Sequence, residues 1–238
     1  MNANALSISL NRYQFQNSST PFFENLAFQL ERGKLHCLKG KNGSGKSTLF
    51  SLLRGNMQGQ QCEGSITVHG KVYDLSHPQA FVKINRHLSL VNQRYDAMIA
   101  DQFSFADNLQ FACLANYPSP FKSLKMSKPL PDFLETFKIN VDTPAYLLSG
   151  GQRQILALSM VLQKQPSILL LDEPTATLDP ANARLVFEFL HSLAKNHQLT
   201  MLIISHDPEL VEEFCDGSHL EVIVGQEGKR MLCQRALR

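Results

Sequence analysis

Gly40-Lys41-Asn42-Gly43-Ser44-Gly45-Lys46-Ser47-Thr48 has the form G-x-x-x-x-G-K-S. Ahead of it, Leu35-His36-Cys37-Leu38 is a short apolar run suited to a buried strand. Behind it, Leu49-Phe50-Ser51-Leu52-Leu53-Arg54 reads as a helix closing at Gly55, a C-cap position. Strand, glycine loop and helix in that order are the setting in which this spacing means a phosphate loop rather than a chance glycine-rich turn. Glycines leave no Cβ in the way when backbone N–H groups curl round an anion, and the helix N-terminus adds the positive end of its dipole. Lys46 is then placed for the β- and γ-phosphates, and the Ser47 hydroxyl for Mg²⁺.

The bulk of the chain narrows what surrounds that loop. At 238 residues with 43% hydrophobic content, it can bury a sizeable core as one large α/β domain or a core with a subdomain. A formal charge of +2 gives no argument for nucleic acid or a charged membrane surface. Cys37, Cys62, Cys113, Cys215 and Cys233 form no C-x-x-C pair, so neither zinc nor a disulfide framework is indicated, and a reducing compartment suits them. The N-terminus lacks a basic segment followed by an apolar core, and no apolar run approaches the roughly 18 residues needed to span a bilayer. The reading is of a soluble chain whose membrane role, if any, comes through a partner.

Working outward from the loop, Leu6, Ile8 and Leu10 alternate with Ser7, Ser9 and Asn11, and Leu26, Phe28 and Leu30 alternate again, both at strand period. Gly64 to Tyr73 reads as a hairpin and Leu88 to Gln93 as a strand ending in a polar amide. From Arg94 to about Thr143 the character is mainly helical. Ser104-Phe105-Ala106-Asp107 resembles a capping box, with Asp in place of Glu, opening a helix through Ala115. Pro118, Pro120, Pro129 and Pro131 punctuate the next connection, where Lys122, Lys125 and Lys128 read as a solvated face. Leu148-Ser149-Gly150-Gly151-Gln152 opens a largely apolar helix to about Lys164. Ile168 to Leu171 suits a parallel strand covered on both faces, ending in Asp172-Glu173. Asp179-Pro180 supplies an N-cap and an N1 proline for a helix to about Ala194. Thr200 to Ile204 is the next buried strand, Asp207-Pro208 repeats the helix start, and Leu220–Val224 and Met231–Cys233 are short strands.

Several polar residues fall at the ends of those strands. Asp172 stands where phosphate-loop NTPases hold the Mg²⁺ shell, and side chains alternate along a strand, so Glu173 faces the other way, toward an attacking water. Gln93 is placed to touch the metal or that water, and His206, after a buried strand, to hydrogen-bond a γ-phosphate. Tyr13 is the candidate stacking platform for a base, with Phe15 competing because the loop length leaves the register open. Ser149-Gly150-Gly151 is a second helix N-terminus carrying glycines and a hydroxyl. The chain has one complete phosphate loop, so this second anion site suggests service to another copy across an interface.

Taken together, these segments resemble the nucleotide-binding subunit of an ATP-binding cassette (ABC) transporter. The resemblance covers nearly the whole chain: phosphate loop Gly40–Thr48, Q-loop Gln93, signature Leu148–Gln152, Walker B Ile168–Asp172 with Glu173, D-loop Leu178-Asp179 and switch His206. It departs from many members after the signature, where an Ala-Arg-Ala-Leu-like segment is replaced by Leu158-Ser159-Met160-Val161-Leu162, a change at packing positions. By resemblance the fold is α/β: a RecA-like core with an antiparallel β subdomain (1–93 and 148–238) and an inserted helical subdomain (94–147). The resemblance also implies ATP and Mg²⁺ as ligands, with Ser47, Gln93 and Asp172 at the metal. Glu173, His206 and Gln93 would serve hydrolysis, and Tyr13 would be the base-stacking aromatic. Two copies would sandwich two ATP molecules, each site taking Gly40–Thr48 from one chain and Ser149, Gly150, Gly151, Gln152 and Asp179 from the other. Such a chain works in the cytoplasm on the inner face of the membrane, against transmembrane permease subunits, with a solute-binding protein where it imports. The alternative within the family is a non-transport ATPase acting on ribosomes or DNA. Those members carry paired cassettes or long coiled coils, and this chain shows neither.

The permease would grip a groove lined from Arg94 to Phe111, which holds Tyr95, Met98, Ile99, Phe103, Phe105 and Phe111. Tyr95, Met98 and Ile99 precede the cap at Ser104 and are expected to be exposed.

Overall fold

A computed structural model describes residues 3–55, 61–114, 131–225 and 228–235. The phosphate loop joins β3 (Leu35–Lys39) to α1 (Lys46–Leu53). Strand β3 lies inside a parallel set ordered β9 (His219–Val224), β3, β8 (Thr200–Ile204), β7 (Ile168–Asp172) and β6 (Leu88–Val91). Ile168 to Leu171 are all 0% exposed because both faces of β7 are covered. Leu169 and Leu171 join one core with α5 (Gly150–Leu162) and α6 (Pro180–His197), while Ile168 and Leu170 join a second with α1. Each such side chain contributes about 1.5–3 kcal/mol on burial, so the centre of the sheet is a rigid base for whatever its carboxyl ends carry.

The parallel set is continuous with antiparallel strands in one 10-stranded sheet. These are β1 (Asn4–Gln14), β2 (Phe23–Glu31), β4 (Gln61–Val68), β5 (Lys71–Asp74) and β10 (Arg230–Arg235), in spatial order β5-β4-β1-β2-β10 before β9. The alternation in β1 works out as expected, with Leu6, Ile8 and Leu10 buried. Strands β1 and β2 pair over most of their length, from Asn4↔Glu31 to Tyr13↔Phe23. Strand β10 meets β2 by a single rung, Arg230↔Phe23. The Gln234 amide extends that seam: its Oε1 accepts from the Gln29 N–H at 3.1 Å, and its Nε2 donates to the Gln29 carbonyl at 2.8 Å.

Between β6 and α5 lie a 3₁₀ turn (Tyr95–Met98), α3 (Phe105–Ala112) and α4 (Pro131–Thr136). The Ser104–Asp107 capping box is present, and α3 ends at Ala112. The lysines at Lys122, Lys125 and Lys128 lie outside the described residues. Asn108, fully buried, accepts from the Ala100 N–H at 2.7 Å and donates to the Ala100 and Ser104 carbonyls, pinning the loop before the helix. The expected exposure of Tyr95 and Ile99 is corrected: they are 6% and 8% exposed and sit in the core with α5. The tight 3₁₀ turn rotates them inward and leaves Met98 at 38% exposure, beside Phe103 at 48% and Phe111 at 41%. A further helix, α2 (Pro78–Ile84), had no counterpart in the sequence reading; it buries Ala80, Phe81 and Ile84. Helix α7 (Pro208–Phe214) follows β8, capped by Asp207.

Candidate active site

The carboxyl ends of β3, β6, β7 and β8 open on one cleft. Its volume is about 650 Å³, with the loop from Asn42 to Thr48 on one side and Gln93, Glu173 and His206 on the other. The loop needs its glycines. At Gly45 (φ +111°) a Cβ would sit 2.9 Å from the Phe22 ring, and at Gly40 (φ +151°) one would sit 2.8 Å from the Val222 carbonyl. Both conformations lie in the left-handed region that favours glycine. Lys46, 8% exposed, folds back so that Nζ donates to the carbonyls of Gly40 at 2.7 Å and Lys41 at 3.3 Å. Among the described residues no carboxylate forms an ion pair with it. A nearly buried ammonium held by carbonyl dipoles, with the Asp172 charge felt but not in ion-pair contact, suits a polyphosphate.

Asp172 and Glu173 diverge. Asp172 hydrogen-bonds with Ser47, and burial pushes its carboxyl above the usual carboxylate range, against the opposing pull of Ser47 and Lys46. Ser47, Asp172 and Gln93 carry hard oxygen donors, a chemistry that fits Mg²⁺ better than a softer metal. Glu173 has φ +50°, unusual for a residue with a side chain, and its N–H donates to the Ile204 carbonyl at 3.0 Å. That turn aims the carboxylate into the cleft. Gln93 Nε2 donates to Glu173 Oε2 at 3.2 Å, and His206 Nε2 lies 3.0 Å from Glu173 Oε1. Strand ends far apart in sequence thus bring Gln93, Glu173 and His206 together.

Ser149 and Gln152 cap α5 reciprocally: Ser149 Oγ accepts from the Gln152 N–H at 3.3 Å, and Gln152 Oε1 accepts from the Ser149 N–H at 3.0 Å. Ser149 and Gly150 are exposed, and none of Ser149–Gln152 lines the cleft. Asp179 caps α6 by accepting from the Asn182 N–H at 3.1 Å, which holds its carboxyl below the usual range. A Cβ at Gly151 would meet Asn182 at 3.2 Å, and one at Gly150 would meet Leu178 at 3.4 Å. The D-loop and the signature therefore abut within one chain.

Of the two candidate rings for a base, the fold encloses Tyr13. Tyr13 is 1% exposed, its ring edge-on to Phe15 at 5.4 Å and to Phe22 at 6.3 Å, and burial pushes its hydroxyl up to about 12. Neither face of that ring is free for a base, so Tyr13 is a core residue. Phe15, two positions on, is half-buried and lines a neighbouring pocket of about 640 Å³ with Phe22.

A model of the ABC transporter family matches residues 23–176. The chain belongs to the ABC transporter family. Its curated ABC relatives include the energy-coupling factor transporter ATP-binding protein EcfA2 of Methanospirillum hungatei, 30% identical over 213 residues, or 89% of this chain and 50% of that protein. They also include the lipoprotein-releasing system ATP-binding protein LolD of Buchnera aphidicola, 28% identical over 87% of this chain and 89% of that protein. The chain spans about half the length of several curated relatives it matches. Among solved ABC structures, cbiO1 of Clostridium perfringens, part of the ABC transporter complex cbiONQ, superposes with a TM-score of 0.78 at 26% identity, covering 98% of this chain and 88% of that one. The mixed sheet with its helical insertion is the ABC cassette fold.

Proposed function

We propose that this chain binds and hydrolyses ATP and that two copies closing on two nucleotides drive a separate membrane permease. The observation that carries the reading is the placement of Glu173, bracketed by Gln93 and His206, across a cleft from the unpaired Lys46 ammonium. Lys46 and the loop N–H groups bind the phosphates, and Phe15 offers a ring for the base. Ser47, Asp172 and Gln93 would hold Mg²⁺, which when bound neutralises charge on the β- and γ-phosphoryl oxygens. Glu173 orients a water and takes its proton, and His206 fixes the Glu173 carboxylate at one oxygen while Gln93 fixes the other. Ser149–Gln152, outside the chain's own cleft, serve the nucleotide of the second copy.

The permease contact falls on the helical segment. Phe103 and Phe111 stand edge to face at 5.0 Å and are both exposed, with Met98 on the same connection and Tyr146 and Leu147 exposed just before the signature. Large apolar side chains on the surface of a chain with no helix long and apolar enough to cross a membrane, among the described residues, suit a protein partner. The test is phosphate release from ATP by the purified chain, alone and beside Glu173→Gln. Turnover that the variant retains in full would remove Glu173 from the chemistry, and no turnover with or without membranes would overturn the reading.

A further inference from the structure

Arg230 opens β10 at the single rung between β10 and β2, and its side chain crosses from there to the phosphate loop. Its Nε donates to the carbonyl of Ser44 at 3.0 Å, and its Nη1 donates to the carbonyl of Gly228 at 3.1 Å. The guanidinium carbon lies 3.8 Å from the centroid of the Phe22 ring, a close cation–π contact. Phe22 is the ring that covers Gly45, and it lines both the phosphate cleft and the pocket that holds Phe15. Phe15 and Phe22 are themselves edge to face at 4.9 Å.

These contacts make a continuous chain of support. Phe15 and Phe22 form one wall where a base would lie, Arg230 clamps Phe22, and the same guanidinium holds the backbone of the loop that would take the phosphates. Among the described residues, two of the five guanidinium N–H groups have a hydrogen-bond partner and no carboxylate forms an ion pair with Arg230. Arg230 itself lines the pocket that holds Phe15 and Phe22, beside the path of a nucleotide running from Phe15 to Lys46. Lysine could supply the charge but not the flat stack and the fixed fork of donors.

We propose that Arg230 is a nucleotide-positioning residue, fixing the Phe22 wall and the Ser44 carbonyl in one geometry so that base and triphosphate are bound by a single preformed surface. This rests on the ATP-binding reading above.

Calorimetric titration with ATP and with inorganic triphosphate, on wild type, Arg230→Ala, Arg230→Lys, Phe22→Ala and the Phe22→Ala/Arg230→Ala double variant, tests it, with melting temperatures taken without nucleotide. The expected result is a loss of about tenfold in ATP affinity in Arg230→Ala, the size of one stacked cation with a charged hydrogen bond. Arg230→Lys is expected to stay below wild type despite keeping the charge, and to carry the test should the alanine variant not fold. The double variant should lose less than the sum of the single losses, because the two side chains act through one contact. The ratio of ATP to triphosphate affinity should fall in Arg230→Ala, which a merely stabilising residue would leave alone. Arg230→Ala and Arg230→Lys within twofold of wild type, or strictly additive losses, would overturn the proposal. A wild-type chain that binds neither ATP nor triphosphate would instead sink the ATP-binding reading, and this one with it.

Discussion

Glu173 Oε1 lies 3.0 Å from His206 Nε2, and the backbone of Glu173 is held left-handed by a hydrogen bond to the Ile204 carbonyl. The β7–β8 pairing therefore places the carboxylate, and His206, two residues past the end of β8, meets it. Replacing Glu173 with Gln keeps the shape and the backbone contact but removes the base. We expect hydrolysis to slow by about 10²–10⁴-fold with ATP affinity retained. An ATP-bound dimer should accumulate, read as a doubling of mass in size-exclusion with light scattering.

Lys46 lines the cleft, and Ser149 lies outside it. Lys46→Ala is expected to abolish tight ATP binding, since it removes the cation the loop encloses. Ser149→Arg is expected to leave binding to the single chain intact and to stop hydrolysis, because a bulky side chain at an exposed helix start obstructs closure against a second copy. A heterodimer of the two variants has one site with both wild-type parts. Recovery of part of the wild-type turnover in that mixture supports the shared site, and a verified heterodimer with none counts against it.

Phe103 and Phe111 offer a cleaner probe of the permease contact than Ile99, whose burial makes any charge there a core lesion. The double variant Phe103→Asp/Phe111→Asp should keep its melting temperature within about 2 °C, since surface changes seldom exceed ±0.5 kcal/mol. It should also keep ATP binding while losing co-purification with membranes. A large fall in melting temperature would show instead that this pair packs the helical segment.

His36 carries a pH dependence. Its Nδ1 accepts from the Ser218 N–H at 2.7 Å and its Nε2 meets the Glu31 carbonyl at 3.0 Å, so the fully buried ring is neutral with its proton on Nε2. Burial lowers its proton affinity from the ordinary value of 6.5. The unfolded chain then takes up this proton at higher pH than the folded one. The contribution to stability is complete above 6.5 and is lost as pH falls from there toward the lowered folded value. Urea denaturation at a series of pH values should show stability declining on the acid side. His36→Gln should flatten that decline while costing about 1–3 kcal/mol at neutral pH for a disturbed buried hydrogen bond. His69 and His219 are also lowered by burial, so the slope should shrink rather than vanish.

Features written locally in the chain were legible. The phosphate loop, the two Asp-Pro helix starts, the capping box at Ser104 and the covered strand before Asp172 each depend on residues within one or two turns of each other. Helix α2 escaped because His77 precedes its N1 proline where α6 and α7 have Asp; without a capping side chain, the proline alone marks no start. Tyr13 and Phe15 could not be separated because residues two apart in extended chain share a face, and only the packing of Phe22 and Phe23 decides which ring is enclosed. Tyr95 and Ile99 read as exposed because nothing in their spacing announces a 3₁₀ turn. Arg230 belongs to no motif at all: its meaning arises from β10 entering the sheet between β2 and β9, a pairing across some 200 positions of sequence.

That meeting of β2 and β10 has a dynamic consequence. One backbone rung and one side-chain amide are little to hold two halves of a sheet, and such a line is where a protein opens first in partial unfolding. Phe22 and Arg230 flank it on either side, so a ligand lying against both would span this thinly paired join. Hydrogen–deuterium exchange should find the amides of β10 among the faster-exchanging strand amides of the free chain. Saturating nucleotide should slow them more than those of β7 or β8, where closure has nothing left to tighten.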